Sequence, residues 1–280
     1  MGPILIAPGF AFIFMFLILP IFFALGLSLF RMSFLTIQEF AGIQNFVRVL
    51  SRQQTVHAIG RGVYMSLTAA FLTMLTGFIL AYWINSRSGG YAYILQVIGL
   101  IPWVLSMVVG ALLWRWVFAG DLGLFNYLRS LVGLSRVELL MAPSTARGSL
   151  IFVISWRTVG YSMVMILAGL KMVPVELLEV ASVDGAGTLL KIRHIILPLI
   201  RTPLLVAGIT VTLSNMNNVT VPVVLTGGGP VNATNVVALE LYRTAFVYNQ
   251  YDMASALAAI VLVLNVIMIM LYLRVVKWDV

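Results

Sequence analysis

Hydrophobic positions along the chain fall into six long runs separated by more polar segments. The runs cover residues 4–29, 63–84, 92–118, 148–171, 203–225 and 254–275. A hydrocarbon core about 30 Å thick takes about 20 apolar residues of α-helix, and each run reaches that length. Because backbone groups that face lipid have no water to bond with, each run must be helical. The pattern therefore predicts an all-α integral membrane protein with six transmembrane helices.

The composition supports a membrane-embedded chain and excludes several other classes of protein. Of the 280 residues, 61% are hydrophobic and only 9% are charged, whereas the surface of a soluble domain demands more polar residues. The chain has no cysteine for disulfides or thiolate metal sites, and His57 and His194 are too isolated to form a metal site. The formal net charge of +8 comes from basic residues that lie mostly between the hydrophobic runs without forming a cluster. We therefore expect contact with a lipid bilayer and no nucleic-acid partner.

The first run, from Ile4 to Leu29, resembles a signal peptide only in being apolar and N-terminal. It is too long, lacks basic residues at its start, contains Pro20 and has no clear small-residue cleavage site. We interpret it as a retained transmembrane helix, and whether a short cytoplasmic leader precedes it stays open. With both termini in the cytoplasm, the inner loops are short and have the higher density of basic residues. We expect a multi-pass cell-membrane protein that forms one domain over residues 1–280.

The segment 172–202 differs from the other loops because it is amphipathic and carries most of the inner charges. Pro174 fits the first position of a helix, where its missing N–H loses nothing. Carboxylates follow within two turns, and Gly185 or Gly187 can end that helix with a positive φ. A second short helix follows and stops near Pro198. The pattern predicts a cytoplasmic helix–turn–helix that either rests on the lipid headgroups or receives a partner protein.

Six residues of this hairpin match a known motif. They are Glu179, Ala181, Asp184, Gly185, Ala186 and Pro198. The segment resembles the EAA loop of ABC importer permeases, and Pro198 follows Asp184 by fourteen positions, as in that motif. Val180 replaces the first alanine of the motif and Ile192 its usual phenylalanine, and both keep apolar character. The resemblance implies a type I ABC importer fold in which the six residues lie on a coupling loop (172–202) seated in a groove of a separate ATPase subunit.

Two groups of polar residues lie inside the predicted spans. They are Arg157, Thr158 and Tyr161 in the fourth span and Ser214, Asn215 and Asn218 in the fifth. Polar groups are costly in hydrocarbon unless they face protein or a wet cavity, so both groups are candidates for a substrate pathway. Tyr161 and Asn215 suit the C–H faces and hydroxyls of a sugar. Two other interpretations stay open: the asparagines can bond between helices, and Arg157 can reach the outer interface.

From about residue 60 onwards the chain resembles the maltose and glycerol-3-phosphate class of sugar permeases. The matching residues are Pro102, Trp114-Arg115-Trp116, Gly123, Asn126, Leu225-Thr226-Gly227-Gly228-Gly229-Pro230, Thr234 and Ala254-Ser255-Ala256. The Gly-Gly-Pro stretch is typical of the permease of the pair that resembles the maltose-binding subunit, and this resemblance implies sugar contacts at Tyr161 and Asn215. Ser214 stands where that relative has phenylalanine, and Arg157 and Thr158 occupy further contact positions. The solute is therefore not identified, and Arg157 leaves open an anionic sugar or polyol.

The resemblance also implies the partners of the chain. They are a second permease subunit in a heterodimer, two cytoplasmic ATPase subunits and an extracytoplasmic solute-binding protein. The chain has no P-loop, so we expect ATP and Mg²⁺ on the ATPase subunits, and we assign no catalytic, cofactor-binding or metal-binding residue here. An ABC permease for a non-sugar solute is one alternative. An ion-coupled secondary transporter is another, and the lack of acidic residues within the spans and of an internal repeat disfavours it.

Overall fold

The computed structural model describes residues 2–87 and 89–275. The elements in chain order are α1 (Gly2–Ile13), π1 (Phe14–Ile18), α2 (Leu19–Leu27), β1 (Phe30–Ser33), β2 (Thr36–Phe40), α3 (Gln44–Ser51), α4 (Gln53–Asn85), α5 (Gly89–Val104), α6 (Met107–Val117), α7 (Leu124–Leu131), α8 (Pro143–Leu170), α9 (Val175–Val183), α10 (Thr188–Lys191), π2 (Ile192–Ile196), α11 (Leu197–Leu199), α12 (Arg201–Met216), α13 (Thr220–Thr226), α14 (Val237–Tyr242), π3 (Arg243–Val247) and α15 (Tyr251–Val275). The mostly helical prediction is confirmed, and the short hairpin of β1 and β2 is an addition that the hydrophobic pattern did not indicate.

Contacts divide the chain into two compact units. The first comprises the residues up to Gly60 with Val237–Ile267, and the second comprises Arg61–Val236 with the residues from Met268 onwards. Helices α4 and α15 contribute to both units. In the first unit, the buried Asn45 side chain donates to the carbonyl oxygens of Ser28 (2.9 Å) and Phe30 (2.8 Å). This side chain therefore ties α3 to the turn that follows the first hydrophobic helix.

Four helices among the described residues are long and apolar enough to cross a membrane. They are Ala7–Leu27, Gln53–Asn85, Pro143–Leu170 and Tyr251–Arg274. Two further pairs of helices pass the same test only when each bent pair is counted as one span: α5 with α6, bent by 94°, and Thr188–Leu199 with α12, bent by 77°. The predicted third span therefore lies on two helices. Pro102 weakens the end of α5, and the extended Ser106 (ψ 138°) starts a new direction.

The predicted fifth span is also interrupted. Helix α12 ends at Met216, and the short helix α13 begins at Thr220. The Asn218 side chain lies in this gap, where its Oδ1 accepts the N–H of Val221 at 3.0 Å. An asparagine oxygen in this position satisfies a backbone donor that the start of a helix leaves without a partner. The break therefore has its own hydrogen-bonded cap.

Two of the π-helical turns precede a proline by the same spacing. In π1 the N–H of Leu19 donates to the carbonyl of Phe14, just before Pro20. In π2 the N–H of Leu197 donates to the carbonyl of Ile192, just before Pro198. A proline ring clashes with the preceding turn of a tight α-helix, and the wider π turn gives that ring room. Both helices consequently continue through their prolines, and the second ends one residue later at Leu199, which confirms the prediction that it stops near Pro198.

Helix α8 is the most buried of the four long helices, with 67% of its apolar window buried. It packs against α5, α6, α12 and α13 within the second unit. Its crossing with α5 requires Gly160, because a Cβ on this residue would lie 2.7 Å from the carbonyl oxygen of Gly99 and 3.1 Å from the Cβ of Trp103. Small residues at such crossings let helix backbones approach closely in a membrane protein. The C-terminal part of α8 forms a core with the end of α4, including Ala81, Ile166 and Leu170.

Candidate functional site

The predicted coupling loop is a helical hairpin that begins where α8 ends. Pro174 is the residue before the first helical residue of α9, one position earlier than predicted, and its ψ of 129° is extended. The helix α9 runs to Val183 with Glu176 in its first turn, the end of the helix at which the dipole favours a carboxylate. The second arm consists of α10, π2 and α11. The hairpin therefore has two arms joined by residues 184–187.

The turn of the hairpin is a Schellman motif built around Gly185. The N–H of Ala186 donates to the carbonyl of Ala181 at 2.8 Å, and the N–H of Gly185 donates to the carbonyl of Ser182 at 3.1 Å. Gly185 has a φ of +79°, which confirms the predicted left-handed C-terminal glycine. Asp184 is the preceding C-cap residue. No atom lies within 4 Å of the position that a Cβ on Gly185 would take. Glycine is therefore favoured here by its positive φ and not by a lack of room for a side chain.

The hairpin has an inner face that packs on the core and an outer face that packs on nothing in the described part of the chain. Leu178, Ile192 and Ile196 lie against the core formed by the ends of α4 and α8. On the other side Val183 is 88% exposed and Leu189 is 76% exposed. Exposed apolar side chains at this density are typical of a surface that receives a partner.

The six predicted coupling residues are distributed over this hairpin in a definite way. Glu179, Asp184, Gly185 and Pro198 are exposed, and Ala181 and Ala186 are half-buried where the turn closes. Pro198 lies at the base of the second arm, and the other five residues lie at or near the tip of the hairpin. Their role in coupling stays a prediction.

Lys191 joins the two arms of the hairpin, and sequence reasoning did not single it out. Its Nζ donates a short hydrogen bond to the Oγ of Ser182, which itself donates to the carbonyl of Leu178 at 2.7 Å. Lys191 also lines a cavity beside Asn85 and Leu170, the last residues of α4 and α8. A cation is favoured near helix C-termini, where the backbone dipoles leave negative partial charge. The spacing of nine residues between Ser182 and Lys191 gives no pattern that could have indicated this contact.

The candidate pathway residues differ in what their polar atoms contact. Asn215 on α12 is 5% exposed, and neither its Nδ2 nor its Oδ1 has a hydrogen-bond partner among the described residues. The Nε of Arg157 on α8 is also buried without a partner in the described part of the chain. Leaving such groups unpaired costs free energy, so they point to a bound molecule or to water. Asn215 and Arg157 are therefore the strongest candidates of the predicted set.

Other predicted pathway residues have partners in the fold. The Thr158 hydroxyl lies 3.0 Å from that of Thr73 on α4 and donates to the carbonyl of Ile154 at 2.9 Å. The ring of Tyr161 lies against Trp103, with centroids 5.7 Å apart. Helix α12 packs against α8, so residues of the two helices could share a surface. However, Thr158 points to α4, the Asn218 side chain bonds to the start of α13, and Ser214 is exposed. The structure therefore does not bring all six residues to one surface.

Trp114 on α6 carries a further buried polar group, and it was not among the predicted pathway residues. Its Nε1 is buried and has no acceptor among the described residues. Its ring packs edge-to-face on Phe152 (4.8 Å) and Trp156 (5.4 Å), which lie five residues and one residue before Arg157 on α8. A buried indole N–H normally finds a partner. The signal in the sequence was a tryptophan inside a predicted span.

The fold and the membrane-spanning helices define a multi-pass membrane permease. Residues 73–278 match the family described as binding-protein-dependent transport system inner membrane component. The chain is 31% identical over 278 residues to the trehalose/maltose transport system permease protein MalF of Thermococcus litoralis, a match that covers 98% of this chain and 93% of that protein. The chain therefore belongs to the family of binding-protein-dependent inner membrane transport components.

Two further comparisons agree with this assignment. The sulfoquinovosyl glycerol transport system permease protein SmoG of Agrobacterium fabrum is 31% identical over 178 residues, which cover 64% of this chain and 58% of that protein. The crystal structure of a bacterial ABC transporter involved in the import of the acidic polysaccharide alginate contains a similar chain, with a TM-score of 0.82 and 25% identity. That match covers 96% of this chain and 92% of the other. The predicted type I ABC importer fold is confirmed.

Proposed function

We propose that this chain forms half of the translocation pathway of an ATP-driven importer for a carbohydrate or a sugar-like solute. The similar proteins act on trehalose or maltose, on sulfoquinovosyl glycerol and on alginate, which all contain sugar units. The Gly-Gly-Pro stretch of residues 228–230 supports pairing with a different permease subunit, since it is typical of one member of such pairs. A solute-binding protein on the outer side would deliver the solute to this pair.

The observation that carries the proposal is the exposed outer face of the coupling hairpin. Val183 and Leu189 present apolar surface that the described part of the chain leaves uncovered. On the inner face, Ile196 joins the core at the ends of α4 and α8. A partner that moves the hairpin would therefore move two long helices with it. We assign that partner as a cytoplasmic ATPase subunit, which binds ATP and Mg²⁺, and we place both termini of this chain on the same side.

Cross-linking can test this assignment, because the chain has no cysteine of its own. Val183→Cys places a thiol at the hairpin tip, and Leu122→Cys places one at a position of similar exposure (85%) between α6 and α7, on the predicted outer side. In membranes that contain the assembled transporter, a bifunctional thiol reagent should link Val183→Cys to the ATPase subunit and should not link Leu122→Cys to it. The opposite result would reverse the orientation and end the proposed coupling mechanism.

Within the membrane, we assign Asn215 as a group that hydrogen-bonds the solute. Its amide has both a donor and an acceptor without partners among the described residues, and sugar hydroxyls can satisfy both. Arg157, one helical turn before Tyr161, adds a buried N–H donor that favours anionic or hydroxyl oxygen. Competition assays with neutral and anionic sugars decide its role. If Arg157→Ala weakens inhibition by both classes equally, Arg157 does not recognise charge.

A further inference from the structure

The β-hairpin of the first unit has an apolar face and a polar face because of a β-bulge. Phe30 pairs with Phe40, and Met32 pairs with Ile37, with the irregularity between these pairs. The bulge adds one residue to β2, so Ile37 and Phe40 share a face although they are three residues apart. The rings of Phe30 and Phe40 lie 5.4 Å apart on that face. Phe40 is 69% exposed and Ile37 is 52% exposed, so the apolar face is not covered by the described chain.

The opposite face of the hairpin is polar and internally paired. Arg31 forms an ion pair with Glu39 at 2.6 Å and donates to Gln44 of α3 at 3.2 Å. Ser33 and Thr36 stand opposite each other beside this pair and are exposed. The hairpin is therefore amphipathic, with hydrogen-bonding groups on one side and hydrocarbon on the other.

Contacts at both ends of the hairpin place it near the ends of two transmembrane helices. Phe30 follows the end of α2 at Leu27 by three positions. The ring of Phe34, at the turn, lies 5.9 Å from the ring of Tyr251, the first residue of α15. A four-residue strand spans only about 13 Å, so the hairpin extends from the end of one span to the end of the other. Both of its ends therefore lie at the ends of membrane-spanning helices.

Helix α3 is held at the same end of α15 and extends the apolar surface. Arg48 forms an ion pair with the buried Asp252 at 3.1 Å, which fixes α3 beside the first turn of α15. Ile43, Val47 and Leu50 are exposed at the spacing of one helical stripe. A second exposed apolar stripe therefore follows the hairpin in the chain, on a helix that is held beside the first turn of α15.

We propose that the hairpin and α3 lie in the headgroup region of the bilayer and insert Ile37 and Phe40 among the lipid chains. The first span supports a lipid environment at this place, since its apolar window runs to Leu27, three positions before the hairpin begins. The hairpin continues directly from that span. A two-stranded hairpin is marginal alone, and insertion of its apolar face into lipid stabilises it. The proposal is independent of the solute and of the coupling mechanism.

Site-directed spin labelling tests the proposal in the assembled transporter in nanodiscs, with the partner subunits made cysteine-free. Single nitroxide labels at Ile37→Cys and Phe40→Cys are compared with labels at Ser33→Cys and Thr36→Cys on the polar face. We expect the labels at 37 and 40 to collide severalfold more with oxygen than with a water-soluble nickel complex, and the labels at 33 and 36 to show the reverse. If Phe40→Cys prevents assembly, the label at position 37 decides.

Two results would overturn the proposal. One is a greater accessibility to the nickel complex at positions 37 and 40, which would place the apolar face in water. The other is a loss of mobility at these positions only after the solute-binding protein is added, which would identify the face as a protein docking surface. Labels that are oxygen-accessible with and without the solute-binding protein support insertion in lipid.

Discussion

Substitutions of Gly185 distinguish two effects on coupling: strain in the backbone of the hairpin turn, and interference of a new side chain with a partner. With φ at +79°, any residue with a Cβ except asparagine or aspartate is strained by roughly 1–2 kcal/mol. That energy changes the ratio of formed to open turn by a factor of about 5–30. A Cβ on Gly185 meets no atom of the described chain within 4 Å, so steric clash within the chain adds nothing. A large side chain at this exposed tip would meet a partner docked there, whereas its Cβ alone adds only the backbone strain.

The expected results follow from the backbone strain at position 185 and from the size of the new side chain. Gly185→Asn should keep transport close to that of the original chain, because asparagine tolerates a positive φ. Gly185→Ala should lower transport in part through the backbone alone. Gly185→Trp should abolish solute uptake by vesicles and the co-purification of the ATPase subunit. Insertion in the membrane should be unchanged for each variant.

Gly133 provides a matched control on the same chain. It ends α7 with a φ of +72° and also has no atom within 4 Å of its missing Cβ. Its N–H donates to Ser130 at 3.1 Å, and the N–H of Leu134 donates to Arg129 at 3.0 Å, so the turn is the same Schellman motif. Gly133→Trp should have the same backbone cost and should retain ATPase binding. Unchanged uptake by Gly185→Trp, or an equal loss with Gly133→Trp, would refute the reasoning.

Three further predictions concern the helices and the hairpin. Asn215→Leu should abolish uptake without lowering the midpoint of thermal unfolding, because it removes buried polar atoms that have no protein partner; a lower midpoint would indicate a structural hydrogen bond instead. Lys191→Met should reduce the solute imported per ATP hydrolysed, and Lys191→Arg should restore it; equal behaviour of both variants would exclude a role for the charge. Gly160→Ala should destabilise the fold by roughly 1–3 kcal/mol, measured by thermal unfolding, whereas Gly148→Ala on the same helix, where a Cβ meets nothing within 4 Å, should not.

Hydrophobic runs predicted the long helices well, because lipid demands apolar residues on nearly every face. The run 63–84 lies within α4, and the run 148–171 ends one residue beyond the end of α8. The 94° bend between α5 and α6 was not predicted, since the sequence stays apolar through Pro102 and Ser106. The β-hairpin was missed for a different reason. Its bulge brings Ile37 and Phe40 to one face, which disrupts the alternation that would indicate a strand.

In the candidate sites, features set by neighbouring residues in the sequence could be predicted, and contacts between distant segments could not. The left-handed Gly185 could be predicted, because a helix C-terminus is a local feature of the sequence. Thr158 was grouped with Arg157 by helical position, but its contact with Thr73 depends on where α4 packs. The bond from Lys191 to Ser182 depends in the same way on how two arms fold together. Helical periodicity indicates which residues share a face and not which neighbour that face meets.

The π turn before Pro198 has a mechanical consequence for the segment that joins the hairpin to the membrane. Here the helix carries a longer hydrogen-bonded loop and a residue without an N–H, and Ile200 then departs from helical geometry at φ −97° and ψ 16°. We therefore expect the segment between Ile192 and Arg201 to bend more easily than an uninterrupted α-helix. A torque applied at the tip should change the 77° angle between Thr188–Leu199 and α12, and should leave α12 unshifted along its own axis.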